Sequence, residues 1–527
     1  MAGPGNAQDI AARDDAQLRS LGIKPELQRR LGFLSNFAVA FSYISVSTGT
    51  FTLIALGLGV GGPAFFWSWP LIILGQTFVA LNFAELASHF PVAGSIYQWS
   101  KRLANKTLGW FTGWFYFWAG VVTVTAVAGT VPLVLSSIFG FKLTDPSPLP
   151  FMNNLVFWAL LTLITTTAIN AFGVRLLALI NNIGVGAEIL GMLVFAIVLL
   201  IVGRHQDLSV LTQTAGIETA ETGGYLPVFA VAMFMSLFVV YGFDTAGTFG
   251  EETLDAGRQA PRGILSAIWL SGIVGAVFLL AIILATPDMA AALKDPAPIA
   301  TSIRAGLGDT MGTVYLYVIL IAVYVCTLAI QGATTRLMFS MGRDERMPLG
   351  RLWGSVNPSF RTPANAAVAV GVLAAVPFFI SDSPGLLATG ATALIYLSYF
   401  LCNIGILAAR LRGWPRQDAW FKLGSWGTVI NVLALVWGGL MIINFGLWHD
   451  TNLFGNFGTD LRNLTNPSLT IVTSGGQPIS FLPDIPFFEG TVLLILIVGI
   501  VYYIATNQAG KTDKVEADLA TGEAVIG

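Results

Sequence analysis

Charge is what this chain has least of. Asp, Glu, Lys and Arg make up only 11% of its 527 residues, while it holds 14 Trp and 36 Phe and its mean hydropathy is +0.73. Soluble domains average about 25% charged residues, so the composition excludes a water-facing surface for most of the chain and indicates a polytopic membrane protein. Cysteine is nearly absent. Cys326 and Cys402 both lie inside apolar runs and read as buried thiols, which excludes a disulfide framework. The three histidines, His89, His205 and His449, fall at span edges or in loops and never at ligand spacing, so no metal site is expected. With 27 basic and 29 acidic residues and no basic face, nothing invites nucleic acid. Gly510-Lys511-Thr512 looks like the end of a phosphate-binding loop, but Ala505 stands where its first glycine is needed. No cofactor is expected.

What is present is a series of apolar stretches long enough for a hydrocarbon layer of ~30 Å. They predict an all-α protein of twelve transmembrane helices, near 34–59, 63–88, 108–138, 151–172, 178–203, 226–250, 262–286, 311–341, 364–381, 385–409, 424–446 and 487–507. Residues 1–33 carry Arg13, Arg19, Lys24, Arg29 and Arg30 without an apolar core, so a cleavable signal peptide is not expected and the first span serves as the insertion signal. An inside N-terminus puts Lys142, Arg204, Lys294, Arg304 and Arg462 outside and all other basic residues on the cytoplasmic side. The tail 508–527 then returns to the cytoplasm, and the polar loop 448–486 forms an irregular outer cap.

Two interruptions stand out. Ser47-Thr48-Gly49-Thr50 breaks the first span and Tyr241-Gly242-Phe243-Asp244-Thr245-Ala246-Gly247 breaks the sixth. Gly and small polar residues at mid-span suggest local unwinding, which frees backbone groups to hold a polar solute. Breaks in the first and sixth spans fit the inverted-repeat logic of secondary transporters. Glu188 lies about ten residues into the fifth span, roughly 15 Å deep. A carboxylate there either loads a proton or cation or makes a structural hydrogen bond. Asp244 has two readings, a partner for a substrate ammonium or a cap on the broken helix. Glu251 and Glu252, followed by Arg258 and Arg262, read as gate or packing ion pairs.

These strings resemble a family. Glu85-Leu86-Ala87-Ser88-His89-Phe90-Pro91-Val92-Ala93-Gly94-Ser95-Ile96-Tyr97 is similar to the re-entrant loop of the amino acid-polyamine-organocation superfamily. Gly242-Phe243-Asp244 through Glu251-Glu252-Thr253, then Ala260-Pro261-Arg262, resembles its helix-six signature. Arg336 through Gly342-Arg343-Asp344, with Met347-Pro348 and Thr362-Pro363, resembles the loop after helix eight. Gly61-Gly62-Pro63 and Asn181-Asn182-Ile183-Gly184 look most like the amino acid/choline transporter family.

The resemblance implies a leucine-transporter-like 5+5 inverted repeat, 34–203 and 226–409, with discontinuous helices 1 and 6 and two further helices in 424–507. It implies that N–H groups of Ser47, Thr48, Gly49 and Thr50 face a substrate carboxylate, and that carbonyls of Phe238, Val239 and Tyr241 take its ammonium. Ser47 and Thr50 replace the usual Gly and Ile, adding hydroxyls that favour a head group such as an aminobutyrate or an organic cation. Glu188 stands where several proton-coupled relatives have a Lys facing the first-helix break.

The expected function is secondary active transport of an amino acid or related amine by alternating access, as symporter or antiporter, coupled through Glu188 to a proton or sodium ion. A plasma-membrane location is expected. Within the same fold the alternative is a polyamine, choline or aminobutyrate transporter or exchanger. A membrane enzyme lacks an acid-base or metal cluster, a channel lacks repeated polar rings, and a sensor ordinarily carries a large cytoplasmic domain, which is not seen.

Overall fold

Long apolar helices account for most of the chain because a bilayer leaves backbone groups no partners outside their own segment. The computed structural model describes residues 4–149, 151–216, 218, 224–379, 383–415, 418–446, 470–472, 478–480 and 487–511. Among them nine helices are long and apolar enough to cross a membrane: Phe33–Gly61, Pro63–His89, Lys106–Phe139, Asn154–Phe172, Val174–Val202, Ala256–Ala285, Pro298–Arg343, Pro384–Leu411 and Gly424–Gly446. Three shorter apolar helices, Tyr225–Val239, Ala364–Phe379 and Glu489–Ala505, stand where the sixth, ninth and twelfth spans were expected. The protein is a multi-pass helical membrane protein.

Each span turns one stripe inward. In the fifth, Asn181, Gly184, Val185, Glu188, Met192, Ala196 and Leu199 are buried, while Ile183, Leu190, Val194, Ile197 and Ile201 point outward. Buried positions recur every three or four residues, the helical period, and the outward stripe is apolar because it meets lipid. Glu188 therefore faces protein.

The structure moves the first break, finds the sixth at Val240 to Asp244 beside and within the expected stretch, and shortens the sixth span. In the first, helix Phe33–Ile44 gives way to Val46–Gly61 at the single residue Ser45, whose φ of 24° and ψ of 91° fit no regular element. Ser47 to Thr50 are not unwound; they form the first turn of the second half-helix. The sixth span ends as a helix at Val239 instead of running to 250. Val240 and Gly242 (φ 86°) leave helical geometry, and one turn, Thr245–Thr248, and a 3-10 turn, Gly250–Glu252, follow.

The face carrying the N-terminal segment is dense with paired charge. Glu252 holds the buried Arg336 through two hydrogen bonds of 2.9 and 3.1 Å, and Glu251 holds Arg343 through two more. Glu85 pairs with Arg410, and Lys101 with Asp344. Arg258 and Arg262 are not the partners of Glu251 and Glu252: Arg258 stacks over Trp420 and Arg262 over Phe33. Asp255 in the left-handed region (φ 53°) turns the chain away before either is reached.

The N-terminal helix Pro4–Ser20 lies across this face. Leu18 and Ile23 pack on Val92, and Asp14 accepts from the Asp255 N–H. Burial raises the Asp14 carboxyl above its ordinary range, against that hydrogen bond and the charges of Arg29 and Arg13. Within 448–486, Thr470–Val472 and Pro478–Ser480 pair antiparallel, so the expected irregular cap includes a short ladder. His449, Arg462 and Thr512 lie outside the described residues. Arg304, expected in an outer loop, sits instead in a helical segment and donates to the Ser137 carbonyl at 2.6 Å.

Candidate substrate site at the two helix breaks

The break at Ser45 is occupied by a side chain from another span. Glu188 Oε1 accepts from the hydroxyls of Ser45 and Ser47, each at 2.8 Å, and from the Ser47 N–H at 3.4 Å. The carboxylate thus caps the N-terminus of half-helix Val46–Gly61, where unpaired N–H groups and the helix dipole favour an anion. A serine at such φ and ψ costs of order 1–3 kcal/mol, and charge-assisted hydrogen bonds to Glu188 offset it. Thr48 hydroxyl pairs with Ser45 at 2.6 Å, and Cys326 Sγ donates to the Tyr43 carbonyl at 3.5 Å. Glu188 Oε2 takes no hydrogen bond among the described residues.

The sixth-span break packs against this half-helix. Gly49 faces Val239, and Gly242 lies against the Tyr43 ring so closely that a Cβ there would stand 1.9 Å from a ring carbon. Only glycine fits that approach, and only glycine accepts its φ of 86° without strain. Tyr241 meets both Tyr43 and Phe238 edge-on, with centroids 6.1 and 5.9 Å apart. Ser47, Thr48, Gly49, Thr50, Phe238, Val239 and Tyr241 are all buried.

Backbone accounting separates the sixth-span candidates. The Val239 carbonyl accepts from the Tyr241 N–H, and the Val240 carbonyl from Gln76 at 3.0 Å. The carbonyls of Leu237, Phe238 and Tyr241 accept no hydrogen bond among the described residues. Phe238 and Tyr241 therefore keep wholly unused acceptors, which an ammonium could use, and Val239 keeps one lone pair.

Asp244 is fully buried and does not follow the capping reading. Its carboxylate caps no helix; it accepts from three hydroxyls, Tyr399 at 2.5 Å, Tyr116 at 2.7 Å and Ser95 at 3.0 Å. Tyr399 also accepts from the Gly242 N–H at 2.9 Å, so Asp244 fixes the unwound segment through a tyrosine of the tenth span. Ser45, Gln76, Tyr116 and Tyr399 were not anticipated. The available signal was a lone polar group in an apolar span, which needs a buried partner.

The site contains two carboxylates, several hydroxyls and freed main-chain groups, but among the described residues no cluster of three His, Cys, Asp or Glu that could hold a metal. These groups present both hydrogen-bond donors and acceptors.

Residues 31–470 match the model of a family described as amino acid permease. The chain is similar to a rice protein named amino-acid permease BAT1 homolog, 29% identical over 82% of this chain and 87% of that protein. It is also similar to amino-acid permease BAT1 of Arabidopsis thaliana, 28% identical over 84% and 90%, and to a choline transporter of Saccharomyces cerevisiae, 25% identical over 80% and 76%. Among solved structures it resembles MhsT in complex with L-phenylalanine, with a TM-score of 0.56 and 14% identity, over 79% of this chain and 99% of that one. At that identity the likeness shows the fold, which is leucine-transporter-like, with helices 1 and 6 discontinuous.

Proposed function

The chain belongs to the amino acid permease family, and from that premise we propose that it moves an amino acid or related amine across the plasma membrane by alternating access, coupled through Glu188 to a proton. The observation that carries this reading is the meeting of the two breaks, with Glu188 on Ser45 and Ser47 and with open carbonyls at Phe238 and Tyr241. A solute there meets a half-helix N-terminus at one end and main-chain acceptors at the other, which suits a molecule with an anionic and a cationic end. The named relatives add amino acids and choline as substrate classes to test.

Paired charge on the face carrying the N-terminal segment supports a state closed on that side, which this reading assigns to the cytoplasm. Rocking of one bundle of helices against the other would expose the site to each side in turn. Proteoliposomes holding the full chain should accumulate one member of a labelled panel of amino acids, aminobutyrate, polyamines and choline under an imposed pH gradient. Uptake driven by sodium alone would replace the proton in this scheme, and no saturable uptake of any member would sink it.

A further inference from the structure

A carboxyl group of the protein already sits where the fold would place one from outside. The first turn of Val46–Gly61 leaves its N–H groups without helical partners, and Ser45, Ser47 and Thr48 add hydroxyls, making a cradle for one carboxylate. Glu188, 2% exposed, fills it with the oxygen that takes all three hydrogen bonds. This step rests on the transport reading of the site.

We infer that Glu188 is an internal stand-in for the substrate carboxylate: the two compete for one cradle, and Glu188 must take up a proton when a carboxylate-bearing substrate enters. Two carboxylates at hydrogen-bonding separation in a buried site cannot both stay ionised. No compensating cation is at hand. The first span offers hydroxyls only, the eighth brings Tyr315 and Cys326 into electrostatic reach, and among the described residues Glu188 makes no ion pair with Lys, Arg or His. The neutral acid no longer competes as an anion, and the cradle passes to the incoming carboxylate. The proton arrives with the solute from the same side and leaves when Glu188 returns, so coupling follows from exchange at one point. An amine without a carboxylate leaves Glu188 in its cradle and takes up no proton.

The test uses the purified full chain in weakly buffered detergent with a pH indicator. The probes are a mixture of the twenty protein L-amino acids with 4-aminobutyrate, compared with putrescine and choline, and binding is scored by thermal shift. The expected result is that the carboxylate mixture stabilises the protein and draws close to one proton per chain, and that its apparent affinity weakens roughly tenfold per pH unit once Glu188 ionises. Glu188→Gln should bind the mixture without proton uptake and without that pH dependence. Ser47→Ala, which keeps Glu188 but removes a donor to its anion, should move the onset of weakening to higher pH. Binding of the mixture with no proton uptake, a strict sodium requirement, or an unmoved onset in Ser47→Ala overturns the inference. Binding of putrescine or choline alone overturns it and leaves the transport reading standing, whereas no thermal shift with any probe overturns both.

Discussion

A Cβ added to Gly49 would stand 2.6 Å from Val239 Cγ2 and 3.3 Å from Val239 Cα, so the two broken spans touch with only the Val239 side chain between them. Gly49→Ala forces the buried Val239 side chain out of place and the two backbones apart by a few tenths of an ångström. Overpacking of this kind costs about 1–3 kcal/mol. The expected outcome is a lower thermal midpoint and slower uptake, with Val239→Ala in the same chain recovering part of both. If Gly49→Ala transports at the parental rate, the contact is not part of the working cycle.

Asp244 should behave as a structural anchor. Replacing it with Asn keeps the shape but turns an acceptor-only group into one that presents an amide donor to hydroxyls already arranged to donate. Hydrogen bonds to a charged group contribute about 1.5–3 kcal/mol, so Asp244→Asn should destabilise more than Tyr399→Phe, which removes one of the three. Thermal unfolding of the two variants, measured side by side, would reverse that order if Asp244 were held loosely.

Arg336 and Glu252 form a fully buried pair, with the guanidinium also 4.3 Å from the Phe249 ring centroid. Removing one partner strands the other charge and costs about 3–5 kcal/mol. Arg336→Met should loosen the face carrying the N-terminal segment, read as faster hydrogen exchange at 249–254. Removing both partners at once, Arg336→Met with Glu252→Gln, should restore part of the protection, and a double variant worse than either single would contradict a simple pair.

Acid should weaken the same face through Asp344, which lies just past the eighth span. Burial alone would raise this carboxyl, yet the Lys101 and Arg343 charges, with hydrogen bonds from Lys101 and Tyr97, hold it below the ordinary range. A carboxyl more acidic in the folded than the unfolded chain adds stability that is complete above about pH 4 and fades as pH falls below it. Asp344→Asn should lower the thermal midpoint at neutral pH and flatten the loss on acidification. An equally steep acid loss in the variant would assign the effect to other carboxylates.

The two interrupted spans were legible in the sequence because glycine and hydroxyl residues rarely cluster inside a membrane helix, and so was the place of the sixth-span break, but the place of the first was not. The helix restarts at Val46, so Ser47 and Thr48 fall in its first turn, and the unwinding passes to Ser45, held by a carboxyl group 143 positions away. The neighbours of Asp244 come from Ser95, Tyr116 and Tyr399, long-range contacts that no local pattern encodes. Nearness in sequence misled at Glu251 and Glu252, since Arg258 and Arg262 sit close along the chain while Arg336 and Arg343 sit close in space.

The N–H groups of Arg30 and Leu31 both donate to the Glu252 carbonyl, and Leu254 donates back to Leu31. This main-chain splice, set where the first span begins and the sixth-span unit ends, ties the two interrupted segments like a yoke. If the face carrying the N-terminal segment swings open, both must tilt together as one lever, with Ser45 and Gly242 as pivots, unless the splice first tears.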